Sequence, residues 1–116
     1  MAFTEQETEL ILTKLEEEFW THRRPPLPLR DEMREGQRIH EQSIELFLSR
    51  PAFRRPDDWI EEAIARIRYV RTRDAWELYW QRADLKWHRY EPCPESQSLS
   101  TALAEIHRDE HGCFFG

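Results

Sequence analysis

At 116 residues, 39% of them hydrophobic and 12% aromatic, the chain can bury one modest core, so a single domain over 1–116 is expected. A net charge of −6 argues against general binding of nucleic acid, because sequence-independent affinity comes from Lys and Arg on phosphates, and two cysteines are too few to staple a small secreted domain. No apolar run is long enough to span a bilayer, and MAFTEQETEL has no basic segment ahead of an apolar one, so no membrane span and no signal peptide are expected and the expected compartment is the cytoplasm.

The charge is unevenly spread. Residues 1–20 carry six acids and one Lys, residues 91–116 five acids and one Arg, and residues 21–90 fifteen bases against twelve acids. The middle is mildly basic between acidic ends.

In chain order the pattern predicts an α+β fold: an N-terminal helix, an antiparallel β-meander of three to four strands and a C-terminal helix. Thr4 with Glu7 three residues on is a capping box, and Ile11, Leu12, Leu15 and Phe19 form an apolar stripe, which places a helix in 1–21. It should stop near Thr21, since His22-Arg23-Arg24 suits a last turn and Pro25-Pro26-Leu27-Pro28 cannot continue it. The prolines predict a stiff linker over 22–36. Within it, Arg30-Asp31-Glu32-Met33-Arg34 reads as one helical turn or a loop with internal ion pairs.

The meander is expected in 37–91, with a first strand near 38–49 that puts Ile44, Leu46 and Leu48 on one face. A second strand is expected near 63–71 and a third near 75–82. A tight turn at Thr72-Arg73 sets Tyr69 opposite Trp76 and Ile67 opposite Leu78 on an apolar face, with Arg68 meeting Glu77 and Arg66 meeting Tyr79 on the reverse. Trp76, Leu78, Trp80 and Ile67 are thus the expected core. A further turn at Ala83-Asp84 pairs Trp87 with Trp80 and sends Lys86, His88 and Tyr90 to the reverse face. In 92–116, Ser98 caps a helix with Leu99, Ala102, Leu103 and Ile106 inward, Gly112 is placed to stop it, and the apolar tail Cys113-Phe114-Phe115-Gly116 should pack back.

Three blocks carry a resemblance. RPPLPLRDEMREGQRIHEQSIELFLSRP, WELYWQRADLKWHRYEP and the terminal HGCFFG, in that order, resemble the bacterial family called domain of unknown function 3024, over nearly the whole chain after the first helix. The resemblance implies a small bacterial protein and carries no activity, cofactor or catalytic residue with it.

Two constellations could hold a metal. Pro56-Asp57 with Asp84-Leu85-Lys86 fits a Pro-Asp…Asp-x-Lys nuclease pattern, in which two carboxylates hold Mg²⁺ and the Lys positions the attacking water; a turn after Pro56 and a hairpin loop at Asp84 account for the same residues. Cys93, His107, His111 and Cys113 could enclose Zn²⁺, but they lack a Cys-x-x-Cys clamp, and a polar helix end explains the histidines. No metal or other cofactor is expected. The chain also has no Gly-rich phosphate loop, no Gly-x-Ser-x-Gly and no His-Glu-x-x-His.

The strongest candidate surface is the outer sheet face, where Arg66, Arg68, Tyr79, Gln81, Lys86, His88 and Tyr90 are expected together. Arg and Tyr of this kind are enriched at protein interfaces and can also stack bases. The acidic total favours a protein partner, including a second copy of the chain, over nucleic acid. The leading expectation is a non-enzymatic binding module acting through this face as a homodimer; the alternative is the nuclease built on Asp57, Asp84 and Lys86.

Overall fold

The computed structural model describes residues 2–29 and 32–115, so Met1, Arg30, Asp31 and Gly116 lie outside the described residues. The capping box forms as the sequence demands: Thr4 Oγ1 accepts from the Glu7 N–H at 3.1 Å while the Thr4 N–H donates to Glu7 Oε1 at 2.8 Å. From that cap the N-terminal helix runs Glu5–Lys14, widens to a π-helical turn over Leu15–Trp20 and ends at Thr21–Arg23. Ile11, Leu15 and Phe19, each four apart, are buried, and the wider turn brings Trp20 inward beside Phe19. Leu12 stands one position off that line and is exposed.

Six strands follow: β1 Arg34–His40, β2 Ser43–Ala52, β3 Arg55–Val70, β4 Ala75–Gln81, β5 Trp87–Arg89 and β6 Glu95–Ser96. They form one antiparallel sheet in the order β1-β2-β3-β4-β5, with β6 beside β5 on the far edge of β4. The α+β class is as expected, and the strand count is higher. What the pattern presented as one strand near 38–49 is a hairpin, closed by His40 opposite Ser43. Its turn residue Glu41 has a left-handed φ of 54°. Tertiary contacts hold it there: the Phe3 N–H donates to Glu41 O at 3.0 Å and the Tyr69 N–H to Gln42 O at 2.8 Å.

Between β3 and β4 the expected register holds, with Tyr69 opposite Trp76, Ile67 opposite Leu78, Arg68 opposite Glu77 and Arg66 opposite Tyr79. The turn is a short 3₁₀ segment, Arg71–Arg73, completed by a left-handed Asp74. The next connection differs from expectation. Residues 82–86 form a five-residue loop with Leu85 left-handed, so Trp80 pairs with His88 and Gln81 with Trp87. Because an odd loop replaces a two-residue turn, the faces exchange: His88 and Tyr90 turn inward, Trp87 and Arg89 outward.

Both helices pack on the inner face. Ile44, Leu46, Ala65, Ile67 and Leu78 of the sheet join Leu15, Phe19 and Trp20 of the first helix and Leu99, Leu103 and Ile106 of the second in one buried cluster. Trp76 and Trp80 are only half-buried, at the margin of that layer, and the large fully buried aromatics are Phe19, Trp20 and Tyr90.

The C-terminal helix, Leu99–Arg108, starts where Ser98 Oγ accepts the Thr101 N–H at 3.1 Å. It stops at Asp109, not at Gly112, because Asp109 takes a left-handed φ of 44° and its carboxylate then accepts the N–H groups of Phe114 and Phe115 at 3.0 and 2.9 Å. The tail is thereby folded back, with Phe114 buried against Tyr90. No helix among the described residues is long and apolar enough to cross a membrane.

Candidate functional site

Alternation along the strands sends every second side chain to the face without helices. The pairings build one continuous row across five strands: Arg38, Glu45, Arg66, Tyr79, Arg89. A parallel row holds Arg68, Glu77 and Glu95. Most of these neighbours are oppositely charged or cation-aromatic pairs at attractive distances; Glu77 opposite Glu95 is the like-charged exception, and Arg73 reaches both carboxylates.

Glu77 is the centre of this face. Its side chain is only 7% exposed, although it points away from the core, because arginines cover it. Oε1 accepts from Tyr79 Oη at 2.8 Å and Arg68 Nη1 at 3.3 Å; Oε2 accepts from Arg73 Nη2 at 3.0 Å and Arg89 Nη1 at 3.1 Å. Burial pushes this carboxyl up, but the Tyr79 and Arg73 hydrogen bonds and the charges of Arg89 and Arg68 outweigh it and hold the group below its ordinary value. The Tyr79 hydroxyl is correspondingly pushed up by burial and by its bond to Glu77.

The remaining positive groups have little to neutralise them. Arg73 also reaches Glu95 at 3.6 Å, so three guanidiniums share two carboxylates. Arg66 adds a fourth. It bonds Ser43 Oγ at 3.3 Å, and its Nε is buried without a hydrogen-bond partner among the described residues. The Arg66 and Arg89 guanidinium carbons lie 5.8 and 5.6 Å from the Tyr79 ring centre, which clamps the ring between cations.

Beside the row lies a notch of about 180 Å³ lined by Arg38, Glu45, Phe47, Glu61, Ala63, Gln81 and Trp87 among others. Phe47, on its wall, packs over Gly36. A Cβ at Gly36 would stand 2.4 Å from the Phe47 ring, so only glycine lets that ring lie across β1. A larger groove of about 310 Å³ lies on the helix side between Phe3, Leu10, Tyr69, Trp76 and Leu99. Its charged rim is already engaged, Glu7 with Arg71, Asp74 with the Tyr69 hydroxyl and Lys14 with Glu18 and Ser100, so it offers apolar surface without a free charged handle.

Of the seven residues expected on the outer face, Arg66, Arg68, Tyr79 and Gln81 are brought together there. Tyr90 is not: it is 1% exposed and packs on Phe114 in the core. His88 faces inward and its Nε2 lies 2.9 Å from Asp84, while Lys86 sits in the exposed β4–β5 loop. Arg89, Arg73, Phe47 and Trp87 belong to the face and were not singled out in the sequence; the exchange of faces after the five-residue loop is what brings in Arg89 and Trp87.

The candidate metal ligands are scattered in their roles. No group of three or more His, Cys, Asp or Glu placed to hold a metal occurs among the described residues. Asp57 is exposed near the start of β3, whereas both oxygens of Asp84 are engaged, one with the Lys86 N–H at 2.9 Å and the other with His88. His107 accepts from Arg23 Nε at 3.1 Å, His111 lies beyond the helix end, and burial pushes the Cys93 and Cys113 thiols up, away from the thiolate form a metal needs.

No curated protein and no solved structure matches the chain. A family model does match, over residues 3–116, and it extends the three-block resemblance through the first helix to the end of the chain. The chain belongs to the family described as Domain of unknown function (DUF3024).

Proposed function

We propose that the protein is a non-enzymatic binding module whose outer sheet face recognises an acidic segment of a protein partner. The observation that supports this reading is the charge imbalance at Glu77: Arg68, Arg73 and Arg89 converge on one shielded carboxylate, with Arg66 alongside. Glu77 pre-positions the guanidinium forks, so an arriving carboxylate meets donors whose ordering entropy is already spent. Tyr79, Phe47 and Trp87 add flat aromatic surface of the type that anchors protein interfaces. The net charge of −6 weighs against nucleic acid as the occupant.

The metal-dependent nuclease reading draws no support from the arrangement. β3 meets β4 only over Arg66–Val70, which leaves Asp57 nine residues out along an extended strand, about 30 Å of rise, while Asp84 is five residues from Tyr79 and reaches at most about 18 Å. Two ligands of one Mg²⁺ must come within about 2.1 Å of it.

The test is affinity capture of the tagged protein from its own cells, run beside Arg66→Glu/Arg68→Glu. Both side chains lie on the outer face, so the double variant should keep the parent's circular dichroism while losing its captured partners, and a Glu-rich peptide should lose binding in titration. A folded double variant that captures the same proteins as the parent would sink the reading. Tight binding of short RNA by the parent, abolished at high salt, would reassign the face to nucleic acid.

A further inference from the structure

We infer that the free edge of β3 is a self-association surface that pairs two copies of this chain, edge to edge and antiparallel. The sheet is lopsided. β2 accompanies β3 from Arg55 upward, but on its other side β3 has a pairing neighbour among the described residues only over Arg66–Val70. The bulge that sets Phe47 opposite Ala63 and Leu46 opposite Ala65 turns the ribbon at Ile64, and all eight residues from Arg55 to Glu62 are exposed. The hairpin therefore stands out from the body as an arm, within a molecule 46 Å in its longest dimension. An unpaired strand of this length offers a row of backbone donors and acceptors to any strand that fits.

The side chains decide which strand fits. Pro56 removes one donor and Asp57 and Asp58 charge the middle, devices that keep an open edge from pairing indiscriminately. The ends have opposite signs: Arg54 and Arg55 at one, Glu61 and Glu62 at the other. A two-fold axis normal to the sheet at Asp58 keeps outer faces outer and inner faces inner. It sets Arg55 of each copy opposite Glu61 of the other and brings Arg54, in the turn just ahead of the strand, next to Glu62, which gives four ion pairs against one facing pair of Asp58. Within one copy Glu61 already accepts from Arg38 at 2.8 Å and Glu62 from Arg50, and each carboxylate has lone pairs left for a second guanidinium. Trp59 and Ile60, 40% and 38% exposed on opposite faces of the arm, would be covered by the joined ribbons.

β1 also has a free edge, and it is a poorer candidate. The first helix lies against it, with Trp20 Nε1 donating to Gln37 at 3.0 Å and Arg24 paired with Glu35.

The test is a charge swap read by sedimentation velocity. The parent should sediment as a dimer in the micromolar range. Arg54→Glu/Arg55→Glu should sediment as a monomer, as should Glu61→Arg/Glu62→Arg, and an equimolar mixture of the two should recover a dimer, because every opposed position then carries one Glu and one Arg. Circular dichroism checks that both variants fold; should one fail to, Trp59→Asp in the parent must also give a monomer. A parent that remains monomeric into the hundred-micromolar range overturns the inference, and so do variants that dimerise on their own. None of these residues touches Glu77 or Arg66, so capture of an acidic partner should survive in the monomeric variants, and its loss with Arg66→Glu leaves the dimer intact.

Discussion

Replacing Glu77 by Gln keeps the shape of the side chain and removes its charge, which makes it the sharpest probe of the outer face. In the parent the carboxylate accepts four hydrogen bonds, three of them from guanidiniums at 3.0 to 3.3 Å. The amide can still accept on one side, but its NH₂ faces an arginine donor. Breaking a buried pair costs about 3–5 kcal/mol when the leftover charge is sealed from water. Here the leftover arginines are 36% to 52% exposed, so water recovers part of the loss. About 1.5–3 kcal/mol is expected. For a domain of this size that is a fall in Tm of about 6–12 °C at pH 7, measured by calorimetry. The pH dependence gives a second check. The folded-state value of Glu77 is depressed, so its contribution is fully present above the unfolded carboxyl value of about 4.3 and is lost as pH falls through the lower folded one. The gap between parent and variant should be flat from neutral pH to about pH 5 and should close in acid. A variant that melts within about 2 °C of the parent at pH 7 would refute the account of Glu77 as the charge that organises three arginines.

Two further substitutions test the packing. Tyr90→Phe removes a buried hydroxyl that has no hydrogen-bond partner among the described residues, so Tm should stay level or rise by an amount worth up to about 1 kcal/mol; a clear fall would mean that the hydroxyl is satisfied. Gly36→Ala must displace the Phe47 ring, at a cost of about 1–2 kcal/mol in chemical denaturation, and an unchanged midpoint would show that the ring is free to move.

The parts of the fold that were legible in the sequence are those fixed by local chemistry. Thr4 and Glu7 announce their capping box, and the alternation of residues 66–80 sets both the faces and the β3–β4 register, because a one-residue slip would bury Arg68. What stayed hidden depends on backbone that only the assembled fold holds in place. Glu41, Asp74, Leu85 and Asp109 all adopt left-handed φ without being glycine. Glu41 splits the first expected strand because Phe3 and Tyr69, distant in sequence, bond its turn. Leu85 makes the β4–β5 loop odd, and that single parity change moves Tyr90 and His88 off the outer sheet face and Arg89 and Trp87 onto it. Asp109, whose carboxylate caps the folded-back tail, ended the helix three residues before the glycine that propensity would choose.

The uneven charge along the chain becomes a two-sided molecule once folded. The first helix carries six of the acids and its Glu9, Glu16, Glu17 and Glu18 are exposed on the layer that covers the inner face. The arginines of β3 and β5, with Arg73, lie on the opposite side of the sheet among Glu45, Glu61, Glu77 and Glu95, so a net charge of −6 conceals a local cluster of guanidiniums. On the proposed function, an acidic partner segment would be repelled by the helical side and drawn to the arginines of the sheet side, which would orient it before contact. The effect reaches about one Debye length, about 8 Å at physiological ionic strength, and association should therefore slow as salt is added even where the final contacts, shielded around Glu77 and Tyr79, weaken little. The proposed function then predicts selectivity against polyanions in general, since a long polyanion that reaches the arginines must also pass the glutamates of the helix.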